Sequence, residues 1–350
     1  MSVIQQSEAR DLLIKLVRIP SVTPNERPCA QQLARFFEDH DREVWIDEVG
    51  NVRAPADDGV LLTSHIDTVP GDIPVHVEDE DGEEVLWGRG SVDAKGPLAS
   101  MAVAAVRTGA SFVGVVGEEV DSRGSRHVVE TRESEPDYVV NGEPSGWNGI
   151  TLGYRGLLGG TYVVTSESGH SSRPENNAIQ DAIDWWNRVD EEFEHDEYEQ
   201  VFERVTCKPI EIEGGVSGDG LSVEATMDVQ LRIPPEYAVD EIREIADGHL
   251  ETGTVNWYDR VEPVMESPRT PVGRAFRAAI RGEGGDPRML RKTGTSDQNV
   301  FAHAWDVDTV SYGPGDSDLD HSPDEHLSLA EYDKAVAVLE RVTERLLEEP

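Results

Sequence analysis

Five side chains spread along the chain, His65, Asp93, Glu119, Glu143 and His321, are of types that bind a divalent cation, and each stands just after a predicted strand or in a glycine-rich loop. Zinc takes nitrogen and oxygen donors at about 2.0–2.2 Å, usually three from the protein with a water in the fourth position. Two ions sharing Asp93 as a bridge, each with one histidine and one further carboxylate, use all five groups. In a chain with 70 acidic residues a single Asp or Glu is ordinarily a solvated surface group. Histidine is scarcer, with ten in all, so His65 in SHIDTVP and His321 in HSPDE carry more of the weight.

Three neighbours of these residues add chemistry. Asp67 lies two residues after His65 on the same side of an extended segment, where its carboxylate can accept the second imidazole N–H; its alternative role is a turn or N-cap residue. Glu118 adjoins Glu119, and adjacent side chains diverge, so one can bind metal while the other faces a substrate. A glutamate is mostly ionised at neutral pH and can take a proton from an attacking water and pass it to a leaving nitrogen. The GRG at Gly88–Gly90 leads into Asp93 and a helix, but it lacks the G-x-G-x-x-G spacing of a dinucleotide site.

The elements that must hold these groups follow from pattern. Leu12, Leu13, Leu16 and Val17 fall on one helical face that ends before Pro20, and a second amphipathic helix starts near Pro28. Short apolar runs between Val44 and Ser64 predict strands ending at His65, and an alanine-rich helix follows over 97–108. Apolar runs at 112–117 and 138–140 deliver Glu118, Glu119 and Glu143 at their ends. Strand, polar tip, helix is the α/β rhythm, in which chemistry collects beyond the carboxyl ends of the strands.

After Tyr154 the rhythm becomes α+β: strand 157–165, helix 178–189, strand 221–231, helix 239–250. A β-α-β-β-α-β unit is the reading, with 191–209 fitting it poorly. Near Pro268 the α/β pattern resumes with a helix over 271–280, a strand over 307–312 and a final helix over 328–347. The expected organisation is therefore a catalytic domain in two parts, 1–154 and 267–350, interrupted by an inserted domain at 155–266.

Composition bounds the setting. The 350 residues carry 31 basic against 70 acidic side chains, a formal net charge of -39, and only five of the cations are lysines. Such a surface points to a salt-rich cytoplasm, because at molar salt the Debye length shrinks to about 3 Å and self-repulsion fades. No basic cluster exists to neutralise phosphates, which argues against nucleic acid. Cys29 and Cys207 form no metal or redox motif. The N-terminus has no signal-like apolar region and no stretch approaches a membrane span, so neither secretion nor a membrane is expected.

The segments SHIDTVP, GRGSVDAKGPL, GEEVDSRG, NGEPSGWNGITLGYRG, SGHSSRPENNAI, KTGTSD and HSPDEH resemble the M20 metallopeptidase and deacylase family. The likeness is greatest to the branch that hydrolyses lysine or ornithine from an amino-group carrier protein. What the resemblance implies is a mixed, mostly parallel sheet flanked by helices and binding two metals, plus an inserted α+β lid and dimerisation domain. It places His65, Asp93 and Glu143 on one ion and Asp93, Glu119 and His321 on the other, zinc or cobalt. It also makes Glu118 the general base and Asp67 the histidine-orienting carboxylate. His170 in SGHSS falls on the lid histidine that reaches a partner's active site in a homodimer. The substrate is then the carrier-linked amino acid, whose carboxylate needs partners; Arg155, Arg232, Thr295 and Ser296 stand where they can serve, and Asp297 is placed to hold a structural hydrogen bond or a distal amine. Rival readings are acetylornithine or succinyl-diaminopimelate deacylation, then a dipeptidase, and, in a different class, a noncatalytic binding protein on the same fold.

Overall fold

The computed structural model describes residues 4–169, 172, 174–194 and 200–348. The chain forms two compact units. The first comprises Met1–Gly153, Glu266–Arg291 and Ser296–Pro350, and the second Tyr154–Met265 with Lys292–Thr295.

The first unit is built on a mixed sheet whose strands run in the order Trp45–Ile46, Val52–Ala54, Ala110–Val115, Asp57–His65, Tyr138–Gly142, Asp308–Ser311, Gly149–Tyr154. The four strands from Ala110–Val115 to Asp308–Ser311 are mutually parallel. Alternation along them explains why helices must cover both faces. Val60, Leu62, Phe112 and Val140 point into the larger core with helices Gln6–Val17, Arg27–Asp39, Lys95–Thr108, Pro271–Gly282 and Leu329–Glu348. Leu61, Val113, Val115 and Val139 point the other way, against Val128 and against Phe301 and Trp305 of the helices Arg123–Thr131 and Asp297–Ala304 and the residue that caps the latter. A separate three-stranded sheet, His76–Glu80, Glu83–Trp87 and His326–Ser328, was not legible in the sequence, because His76–Glu80 is exposed along its whole length and has no apolar alternation.

The second unit is an antiparallel sheet in the order Thr206–Val216, Ser222–Ile233, Gly156–Glu167, Thr254–Val261, with helices Ala178–Glu192 and Val239–Gly248 packed on it. Chain order is β-α-β-β-α-β. Along Ser222–Ile233 the alternate residues Ala225, Met227, Val229, Leu231 and Ile233 are buried, as a one-sided sheet requires. Among the described residues, 191–209 holds the end of helix Ala178–Glu192, a 3-10 turn at Val201–Glu203 and the start of the edge strand Thr206–Val216, so no single period runs through it. This edge strand leaves Ile210 and Ile212 57% and 49% exposed, so its apolar residues do not report a buried face.

The acidic surface yields a first prediction. Raising KCl from dilute buffer to molar concentration should raise the melting temperature by about 10 °C or more, since a charge of -39 repels itself least when screened. A melting temperature that does not move between the two conditions defeats this reading.

Candidate metal centre

The site is assembled from level strand ends. In the parallel array His65 pairs with Val115 and Ser64 with Gly142, so the three chains leave the sheet side by side carrying His65, Glu118–Glu119 and Glu143. Gly142 permits this closeness: a Cβ there would lie 2.5 Å from that of Ser64. Asp93 comes from the loop that opens helix Lys95–Thr108, across a cis peptide to Ala94, and His321 sits in a turn with φ of 60°.

His65, Asp93 and Glu119 each offer a ligand atom within 4.8 Å of the other two. The two oxygens of Asp93 address different imidazoles, Oδ1 at 3.1 Å from His65 Nε2 and Oδ2 at 3.2 Å from His321 Nε2. His321 Nε2 also lies 3.1 Å from Glu119 Oε2. Glu119 Oε1 is buried with no hydrogen-bond partner among the described residues. An orphaned carboxylate oxygen in a nest of imidazoles and carboxylates is what a divalent cation with nitrogen and oxygen donors would satisfy. Glu143 is buried at the end of its strand, outside that three-group cluster, and its charge acts on Glu118.

Proton affinities record the crowding of these charges. Burial and the Glu143 charge push the Glu118 carboxyl well above the usual range. Glu119 is pushed up to about 7 by burial and the Asp93 charge. His321 is raised to about 9 by its hydrogen bond to Asp93, against burial and with help from Glu119. For His65 burial is the largest influence and acts downward, but Asp67 and Asp93 together hold the imidazole well above its ordinary value.

Asp67 is wholly buried and organises the loop. Its carboxylate accepts from the amides of Glu118 and Glu119 at 3.2 and 3.1 Å and from Thr23 Oγ1 at 2.9 Å. His65 Nδ1 lies 3.0 Å from the Asp67 carbonyl and 3.6 Å from its carboxylate, so the backbone oxygen, and not the side chain, is the nearer acceptor. The carboxylate orients the two glutamates more directly than the histidine.

The residues read as substrate contacts have diverse surroundings. Arg155 is buried and donates to the carbonyls of Thr293, Val201 and Arg204 and to Thr206 Oγ1. Arg232 Nη1 reaches Thr295 Oγ1 at 3.4 Å. Ser296 caps helix Asp297–Ala304 in a reciprocal box with Asn299. Asp297 is buried, accepts from Ser125 Oγ at 2.6 Å through Oδ1, and has Oδ2 without a partner among the described residues. Burial raises its carboxyl, and its charge is felt at Glu118. His170 lies outside the described residues. Thr23 and Ser125 were missed by sequence reasoning, since nothing local marks a hydroxyl that meets a buried carboxylate from 44 or 172 residues away.

The profile of Peptidase family M20/M25/M40 matches residues 61–345. The chain is 41% identical to the LysW-lysine hydrolase of Deinococcus radiodurans, over 97% of each chain. It is 38% identical to a protein of Thermococcus kodakarensis named a putative LysW-lysine/LysW-ornithine hydrolase, covering 98% of this chain and 93% of that one. Among solved structures, aminopeptidase PepT from Bacillus cereus superposes with a TM-score of 0.76 at 20% identity, covering 99% of this chain and 100% of the other. An M20 family metallo-carboxypeptidase from Sulfolobus solfataricus gives 0.75 at 19% identity, covering 97% and 99%. These two likenesses are of fold.

Proposed function

The chain belongs to peptidase family M20/M25/M40, and from that premise we propose that it is a metal-dependent amide hydrolase releasing lysine or ornithine from the C-terminal glutamate of an amino-group carrier protein, in lysine or arginine biosynthesis. The observation that carries the chemistry is the nest of His65, Asp93, Glu119 and His321 with Glu118 beside it. The names of the relatives support the substrate.

In this reading two divalent ions, zinc or cobalt, would be held by His65, Asp93 and Glu143 and by Asp93, Glu119 and His321. When bound, such cations supply Lewis acidity toward the amide oxygen and the attacking water and draw the proton affinity of Glu118 back down. Glu118 accepts the proton of the water as its oxygen bonds to the amide carbon. The same carboxyl then delivers that proton to the departing nitrogen as the C–N bond breaks, leaving a glutamate carboxylate on the carrier and a free α-amine. Asp67, through the two amides it holds, keeps Glu118 and Glu119 at their posts. Arg232 with Thr295, and Asp297 through its open oxygen, are proposed to meet the carboxylate and the distal ammonium of the amino acid. For Arg155 and Ser296 the proposed role is a supporting one, since the first donates to main-chain carbonyls and the second caps its helix.

The active unit is proposed to be a homodimer. Support comes from the exposed edge strand Thr206–Val216, where Ile210, Ile212 and Val216 offer apolar surface beside backbone that pairs with no further strand among the described residues, a surface natural edges seldom leave uncovered. Among the described residues no helix is long and apolar enough to cross a membrane.

The substrate assignment is tested by incubating zinc-loaded protein in molar KCl with carrier–lysine and carrier–ornithine conjugates, acetylornithine, succinyl-diaminopimelate and a dipeptide. Conjugates should be cleaved with kcat/KM at least 100-fold above the small substrates. A small N-acyl amino acid cleaved faster than either conjugate overturns the carrier assignment and leaves amide hydrolysis standing.

A further inference from the structure

The HSPDEH segment contains an acid that the ligand set leaves unused. Glu325 is wholly buried, and both its oxygens are spent on one loop. Its Oε1 accepts from the amides of Val92 and Asp93 at 2.9 and 3.0 Å. Its Oε2 accepts from the Gly90 amide at 3.0 Å and from Arg89 Nη1 at 2.7 Å. The loop is shaped for this contact: Gly90 has φ of 83°, and a Cβ there would lie 2.7 Å from Thr68 Cγ2.

We infer that Glu325 is a positioning residue for the metal centre, fixing Asp93 by its own main-chain amide and tying it to the segment that carries His321. The inference rests on the reading of these residues as metal ligands. A buried carboxylate is costly unless its oxygens are filled by strong donors, and here three amides and a guanidinium fill them. Two of those amides belong to Val92 and Asp93, so slack at Glu325 shifts the main chain from which the Asp93 carboxylate is carried on a single methylene. Donor distances near 2 Å tolerate displacements of only about 0.2 Å. His321 lies four residues before Glu325 on the same segment, so one clamp sets the 3.2 Å separation of His321 from Asp93.

Glu325→Gln keeps the shape but turns an N–H₂ toward amide donors, leaving at least one of them unpaired. Glu325→Asp keeps the charge and withdraws it by one methylene. Both proteins, folded in molar KCl, should bind zinc about 10–100-fold more weakly than wild type in chelator competition. Their cobalt-substituted forms should show altered visible absorption, and kcat should fall with KM little changed. A merely structural carboxylate would lower the melting temperature and leave the zinc Kd and the cobalt spectrum of the folded protein alone. Wild-type values of both quantities in whichever variant folds overturn the inference, and so does failure of both to fold, since a positioning residue leaves the fold standing. Wild-type protein that takes up no zinc sinks the metal reading and this inference with it, whereas wild-type uptake beside unchanged variants sinks only the role of Glu325.

Discussion

Glu118→Gln protein should lose turnover by a factor of about 10²–10⁴ or more while keeping its metal content. The substitution is isosteric and removes a carboxyl that makes none of the nest's close contacts: His65 with Asp93, Asp93 with His321 and His321 with Glu119 lie within about 3 Å, and Glu118 enters as a neighbouring charge. Neutralising it also relieves its repulsion with Glu143, Glu119 and Asp297, so the metal-free variant should melt no lower than wild type. Glu119→Gln gives the contrast, because there a buried ligand oxygen is replaced; it should lose metal and activity together. Rates on the carrier conjugate and metal content on the same preparations decide between them. Metal loss in Glu118→Gln with retention in Glu119→Gln would show that the two glutamates have exchanged roles.

Part of the candidate centre was legible because three of its segments leave strand ends. His65, Glu118–Glu119 and Glu143 each stand at the end of a predicted apolar run, and level register turns sequence position into spatial proximity. Pattern could not tell which acceptor His65 would choose, since the distances from Nδ1 to the Asp67 carbonyl and carboxylate are set by backbone and side-chain torsions that residue type does not fix. It was equally silent on Arg155, whose guanidinium is spent on carbonyls at 201, 204 and 293, because acceptors of the main chain leave no mark on residue type. Lys292–Thr295 belongs with the inserted unit although it follows a stretch of the first, a placement set by packing and not by local propensity. Glu325 stood in a quoted motif, but only the amides it gathers from 232 to 235 residues away say what it does.

The largest effect expected of the dimer is a switch from no activity to activity on mixing two dead proteins. In the proposed homodimer His170 of one chain completes the site carrying Glu118 of the other. Sequence supplies a histidine in a Gly/Ser-rich segment of the inserted domain, SGHSS, where an imidazole can donate to a developing oxyanion, an interaction worth about 10²–10³ in kcat. The edge strand Thr206–Val216, with Ile210, Ile212 and Val216 exposed, is the apolar surface the proposed second copy would cover. His170→Ala and Glu118→Gln chains should each be nearly inactive as homodimers. In a hybrid, the site on the His170→Ala chain retains its own Glu118 and receives an intact His170 from its neighbour, while the other site lacks both. Coexpressed hybrids purified by two different tags should therefore recover about half the wild-type rate, one working site of two. If His170 acts within its own chain, every site in the hybrid lacks either the donor or the base. Hybrids of verified composition that remain as inactive as their parents would rule out the shared site, and sedimentation on the same samples would show whether the chains had paired at all.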